Sequence, residues 1–281
     1  MAKGIGLIGN FKGKVGNTVG YKLSASNTGN TQGIRIYQPI VRNPKTSAQA
    51  EQRAKLAPIN ATYRALKMVI DRGNEGLPYG NKSRLAWLKQ AFKAEHMPWF
   101  VKGAIISAPV GCQLTKGSLA SLAYAASVDG INVEVDQVTS STDVTTIGKI
   151  STLLLVKYPT LKEGDQLTFV YMTATEDNLK SSVVSFVIDS KSAVAASTLF
   201  GSVTAKDNGI QFEGIMSADA CAIIISREGA GGEHLRSTEY LKFTENITSA
   251  APYDEKSKAA AVESYMKAAG ANSDWAEESI Q

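Results

Sequence analysis

An α+β chain built from several modules is predicted, on three observations. Formal charge reverses sign partway along the sequence, the apolar spacing changes from helical to alternating near the same point, and glycine is concentrated ahead of both. From Met1 to Gly103 there are 17 Lys and Arg against 4 Asp and Glu, a balance of +13; from Ala104 to Gln281 there are 13 against 22, a balance of −9. The whole-chain value of +4 conceals this split. Such asymmetry points to a charged partner or to a head-to-tail neighbour. With 281 residues, 43% of them hydrophobic, the chain can bury a substantial core.

The predicted order is a basic glycine-rich arm with a β-hairpin (1–43), a small helical module (44–102), an antiparallel β-sandwich (103–190), further strands that extend it or begin a second sandwich (191–250), and a C-terminal helix with an acidic tail (251–281). In the arm, the alternating runs Thr18–Leu23 and Gly33–Tyr37 flank a polar, glycine-containing loop, which predicts a hairpin. Apolar residues are too sparse there for an independent core.

Thr46 followed three residues later by Gln49 is a capping box, so a helix is expected to begin there. Pro58 is expected to kink that helix or to divide it near Ala57, with a second stretch running to about Asp71. Leu56, Ile59, Tyr63, Leu66 and Ile70 recur at helical spacing and predict a buried stripe. A third helix is expected from Asn81 or Ser83 to about Ala94, with Leu85, Leu88 and Phe92 inward, Trp87 beside them and cations outward. Beyond Ala104, short β-branched and aromatic runs broken by Gly, Asp, Asn and Ser predict strands at 131–135, 152–156, 167–173, 183–188, 199–204, 210–212, 222–226 and 240–243. An alanine-rich helix is expected from Asp254 to Ala269.

The motifs that carry chemistry are missing their context. Gly4-Ile-Gly-Leu-Ile-Gly9 spells a dinucleotide fingerprint, but only three residues precede it and Asn-Phe-Lys-Gly follows, so neither the strand nor the helix that would cradle a pyrophosphate is expected. His96 and His234 stand in separate segments, and Cys112 and Cys221 lack a C-x-x-C partner, so neither a metal site nor a disulfide framework is expected. Asp165, at a predicted turn, is expected to be solvated. No cofactor, no membrane span and no catalytic set is expected.

The cationic first third is therefore the candidate binding region. Lys12, Lys14, Lys22, Arg35, Arg42, Arg53, Arg64, Arg84 and Lys89, interleaved with tyrosines, suit phosphate contacts to DNA or RNA, and equally suit an acidic protein surface. Because the remainder is acidic, docking to other proteins or to copies of the same chain, as a homo-oligomer, explains the asymmetry without nucleic acid.

Asn43-Pro-Lys-Thr-Ser-Ala-Gln-Ala-Glu-Gln-Arg53, an N-P-x-T-x-A-Q-x-x-Q-R motif, follows Gly13-Lys-Val-Gly-Asn-Thr-Val-Gly20 and precedes the Trp87 helix. With Leu114–Leu119 and His234–Tyr240, these segments resemble a family of proteins of Bacteroidetes and their bacteriophages, small gut microviruses among them. Leu161–Tyr171 is similar to the corner before a late strand of immunoglobulin and fibronectin type III sandwiches, with Leu167 where those folds carry a tyrosine. The resemblance implies a virion or assembly role for a protein made in the bacterial cytoplasm, and carries over no catalytic residue.

Overall fold

A computed structural model describes residues 13–22, 32–37, 46–136, 138, 140–175, 178–206, 208–215, 218–244 and 254–268. The glycine motif at 4–9, Lys12, Arg42 and the acidic segment containing Trp275 lie outside them. The chain divides into two compact units, Met1–Pro44 and Lys45–Gln281. In the first, β1 (Gly13–Val15), β2 (Thr18–Lys22) and β3 (Gln32–Ile36) form an antiparallel sheet in that order. The turn from β1 to β2 has Gly16 at φ +56°, a backbone state that a side chain would resist.

The second unit opens with α1 (Ser47–Ala65), α2 (Lys67–Ile70) and α3 (Asn81–Ala91). Thr46 caps α1 as its sequence predicts: the Gln49 N–H donates to its Oγ1 at 3.3 Å. Pro58 neither divides the helix nor ends it, because Ala54, Pro58 and Ile59 are all buried. The break comes instead at Leu66, whose backbone leaves the helical range at φ −112°, ψ 25°. The inward face of α3 also differs from expectation. Trp87 is 2% exposed and Ser83 is fully buried, its hydroxyl donating to the Ile70 carbonyl at 2.8 Å, whereas Leu85 is 49% exposed. The face through Ser83, Trp87 and Ala91 is buried in place of the one through Leu85 and Phe92.

The remaining elements are β4 (Gln113–Thr115), β5 (Tyr124–Ser127), β6 (Gly130–Glu134), α4 (Ile147–Lys157), β7 (Gln166–Ala174), β8 (Leu179–Val187), β9 (Ser202–Lys206), β10 (Gly209–Glu213), β11 (Ala220–Glu228), β12 (His234–Arg236), β13 (Glu239–Tyr240), β14 (Lys242–Phe243) and α5 (Glu255–Ala268). The predicted strand at 152–156 is part of α4. Thr146 caps that helix, and Ile147, Ile150 and Leu154 fall on one buried face.

Two antiparallel sheets carry the unit: β5-β6-β10-β9, and β12-β11-β7-β8 with β14 also pairing β11. The second sheet is a central layer. Alternation along β7 and β11 sends Leu167, Phe169, Tyr171, Cys221, Ile223 and Ile225 to one core, shared with the first sheet and α4. The intervening Val170, Met172, Ala220, Ala222 and Ile224 go to a second core under α1, α2 and α3. Burial on both faces explains why Ala220–Ile225 is an unbroken small or apolar run rather than an alternating one. Phe169, Phe186, Phe200 and Phe212 interlock at the centre of the first core, the closest centroids 4.6 Å apart. Tyr171, fully buried, donates its hydroxyl across that core to the Phe212 carbonyl at 3.1 Å. The architecture is thus mixed α+β with several antiparallel sheets, compatible with a β-sandwich.

Asp165 is not a solvated turn residue. It is 1% exposed and accepts a forked pair of hydrogen bonds from Arg227, at 2.6 and 2.7 Å. Arg227 lies on β11, and its guanidinium also donates to the Thr160 carbonyl at 2.8 Å, so the pair ties the loop before β7 to the sheet.

Candidate functional site

The described cations of the predicted set separate into two kinds. Arg53 and Arg64 are exposed on α1. Eleven residues apart on a helix, they lie within about 20° of the same face and about 16 Å from each other. Lys89 is exposed on α3. Among the described residues, no carboxylate oxygen lies within 4.0 Å of any of these three cations.

Arg84 is half-buried and belongs to a structural cluster. Its guanidinium lies 4.5 Å from the centre of the Tyr63 ring, and the Tyr63 hydroxyl donates to Asp71 at 3.0 Å. Burial, then the bond to Asp71, raises the Tyr63 hydroxyl above its ordinary pKa. In the first unit, exposed Lys14 stands 3.6 Å over Tyr37. Lys22 and Arg35 lie on β2 and β3, with side chains outside the described set, and Lys12 and Arg42 are outside it entirely.

Other cations are engaged in holding helices together. Lys55 and Lys258 flank the Trp99 ring at 5.1 and 5.3 Å, and both approach Glu51, at 2.8 and 4.0 Å. This fixes the start of α5 against the second turn of α1. Further along α5, Ser264 accepts from the Lys102 N–H at 3.3 Å.

Sequence reasoning missed a third feature, a groove of about 280 Å³ over the helix-facing side of the central sheet. Helices roof that face near Ala220 and Ala222, but beyond α2 it is open. Thr168 and Gln166 of β7, Ser185 of β8 and Ser226 of β11 form a polar floor. Met68, 70% exposed, and Val183, 46% exposed, add apolar surface. Arg72 and Arg236 flank it. Neither has a carboxylate within 4.0 Å among the described residues, and no acidic side chain lines the groove.

The nearby Glu75 is committed elsewhere. Its carboxylate accepts from the Ser118 N–H at 2.9 Å and the Arg236 N–H at 3.1 Å. Burial alone would raise its pKa, yet these bonds hold it below the ordinary value. Arg72 and Arg236 are 164 positions apart, so no spacing in the sequence could have joined them; only the alternation of β11 and β12 hints that Arg236 shares a face with Ser226.

Among the described residues, no group of three or more His, Cys, Asp or Glu is placed to hold a metal ion. His96 packs at a tilt against Phe243, ring centres 5.0 Å apart, and His234 against Tyr79, 5.5 Å apart. Cys112 and Cys221 are buried free thiols, and burial pushes both up to about 12, far from the range of a reactive thiolate. No helix among the described residues is long and apolar enough to cross a membrane. Comparison with protein-family models, curated proteins and solved structures finds no match to this chain.

Proposed function

We propose that the chain is a non-enzymatic structural protein of a bacteriophage virion, a capsid, portal, neck or decoration component made in the bacterial cytoplasm, which docks through its basic N-terminal region. One observation carries the docking role: Arg53, Arg64 and Lys89 are exposed with no carboxylate near them among the described residues, in a chain whose remainder is acidic. Exposed cations without an internal partner are available to an acidic surface outside the chain. The virion assignment rests on the resemblance of the Asn43–Arg53 motif, and the two facing sheets are read as an immunoglobulin- or fibronectin-like sandwich. Purified particles from a host carrying the gene are expected to contain the chain in stoichiometric copies by mass spectrometry. Its absence from such particles overturns the assignment.

A second reading, binding to DNA or RNA during packaging or replication, is favoured by the alignment of Arg53 and Arg64 on one helix face. For a site making six or more phosphate contacts, full-length protein is expected to lose about a thousandfold in affinity for duplex DNA or single-stranded RNA between 50 and 200 mM salt. A chain that binds neither at the lower salt removes this reading and leaves the first intact.

A further inference from the structure

We propose that the open groove between Arg72 and Arg236 receives the acidic segment 269–281 of a second copy of the chain. This deepens the assembly reading by naming the partner, and rests on it.

The acceptor side is defined by charge and by apolar surface. Arg72 and Arg236 line a groove that has no acidic side chain among its lining residues, and guanidinium forks match carboxylates in geometry as well as charge. The exposed Met68 and Val183 supply an apolar seat.

The donor matches each feature. Residues 269–281 contain Asp274, Glu277 and Glu278 and no Lys or Arg, with Trp275 and Ile280 as apolar side chains. The proposed donor is a neighbouring copy. Arg72 belongs to the cationic third and the donor to the acidic remainder, so head-to-tail pairing brings the opposite charges of the chain together.

Complementation tests this directly. A chain ending at Ala268 keeps the groove without the donor, and full-length Arg72→Glu/Arg236→Glu keeps the donor without the groove. By sedimentation velocity the intact chain is expected to self-associate, each variant alone to remain monomeric, and an equimolar mixture to form a one-to-one complex. Adding Asp274→Lys/Glu277→Lys/Glu278→Lys to the double arginine variant is expected to restore self-association. A synthetic 269–281 peptide is expected to bind the shortened chain at least tenfold more tightly than the same chain with both arginines reversed. The proposal fails if the variants associate as the intact chain does, if the mixture stays monomeric, or if the intact chain is a monomer. Stoichiometric copies in particles alongside failed complementation would remove the groove assignment and leave the virion reading standing.

Discussion

Replacing Asp165 with alanine is expected to destabilise the second unit by about 3 kcal/mol, the lower end of the range for breaking a buried ion pair. The cost arises less from the lost attraction than from what remains. Arg227 would keep its charge beside the first core, with the Thr160 carbonyl, at 2.8 Å, as its one remaining acceptor among the described residues. Its side chain is 19% exposed, so water recovers part of the penalty, which is why the lower end applies. The Lys162 N–H, which donates to Asp165 at 2.8 Å, loses its acceptor as well. Urea denaturation of the single variant measures the loss. Asp165→Leu/Arg227→Met, which removes both charges together, is expected to recover most of it. A double variant no more stable than Asp165→Ala alone would show that the carboxylate acts through the loop backbone rather than through the arginine.

Asp165 also illustrates what can be read before folding. Its immediate neighbours, Glu163 and Gly164, are those of any solvated turn; what buries it is Arg227, 62 positions later, and a strand order that composition does not encode. Local signals were legible. Thr46 and Gln49 are three residues apart, and their bond forms within one helical turn. The strands at 131–135, 167–173 and 222–226 are marked by runs of β-branched and aromatic residues whose burial is settled within the segment. Thr152–Val156 was misread because a short apolar run has no distinguishing period when it is buried. Its assignment follows from the cap at Thr146 and from Ile147 and Ile150, which precede the run and share a face with Leu154 within it. The same limit applies to the sites. Exposed cations on α1 follow from one helix's periodicity, whereas the groove requires residues from α2, β7, β8, β11 and β12 to meet.

Glu239 makes the second large prediction, an unusual one for a carboxylate: stability should fall as pH rises toward neutrality. The residue is 4% exposed, and its Oε1 has no hydrogen-bond partner among the described residues. Burial pushes its pKa up from 4.5 to about 7, against the hydroxyls of Ser237 and Ser121 and the charge of Lys242, which act in the opposite direction. The ammonium of Lys242 does not neutralise the site, because it is engaged with the Tyr124 carbonyl at 3.0 Å and lies over the Tyr124 ring. Tyr124 is itself buried, and burial, then the Glu239 charge, raises its pKa, so the phenol stays neutral and offers no compensating charge. The folded state therefore holds a proton that the unfolded chain releases near pH 4.5. The stabilisation is fully present below that value and is lost as pH rises through about 7, a change of about 3 kcal/mol at 1.36 kcal/mol per pKa unit. Glu239→Gln keeps the shape and removes the titration. Denaturation at pH 5 and pH 8.5 is expected to show the variant within about 1 kcal/mol of the parent at the lower pH. At the higher pH it should be more stable than the parent by about 3 kcal/mol. Parallel pH profiles for the two proteins would mean that Glu239 is ionised in the folded state, satisfied by groups its surroundings do not display.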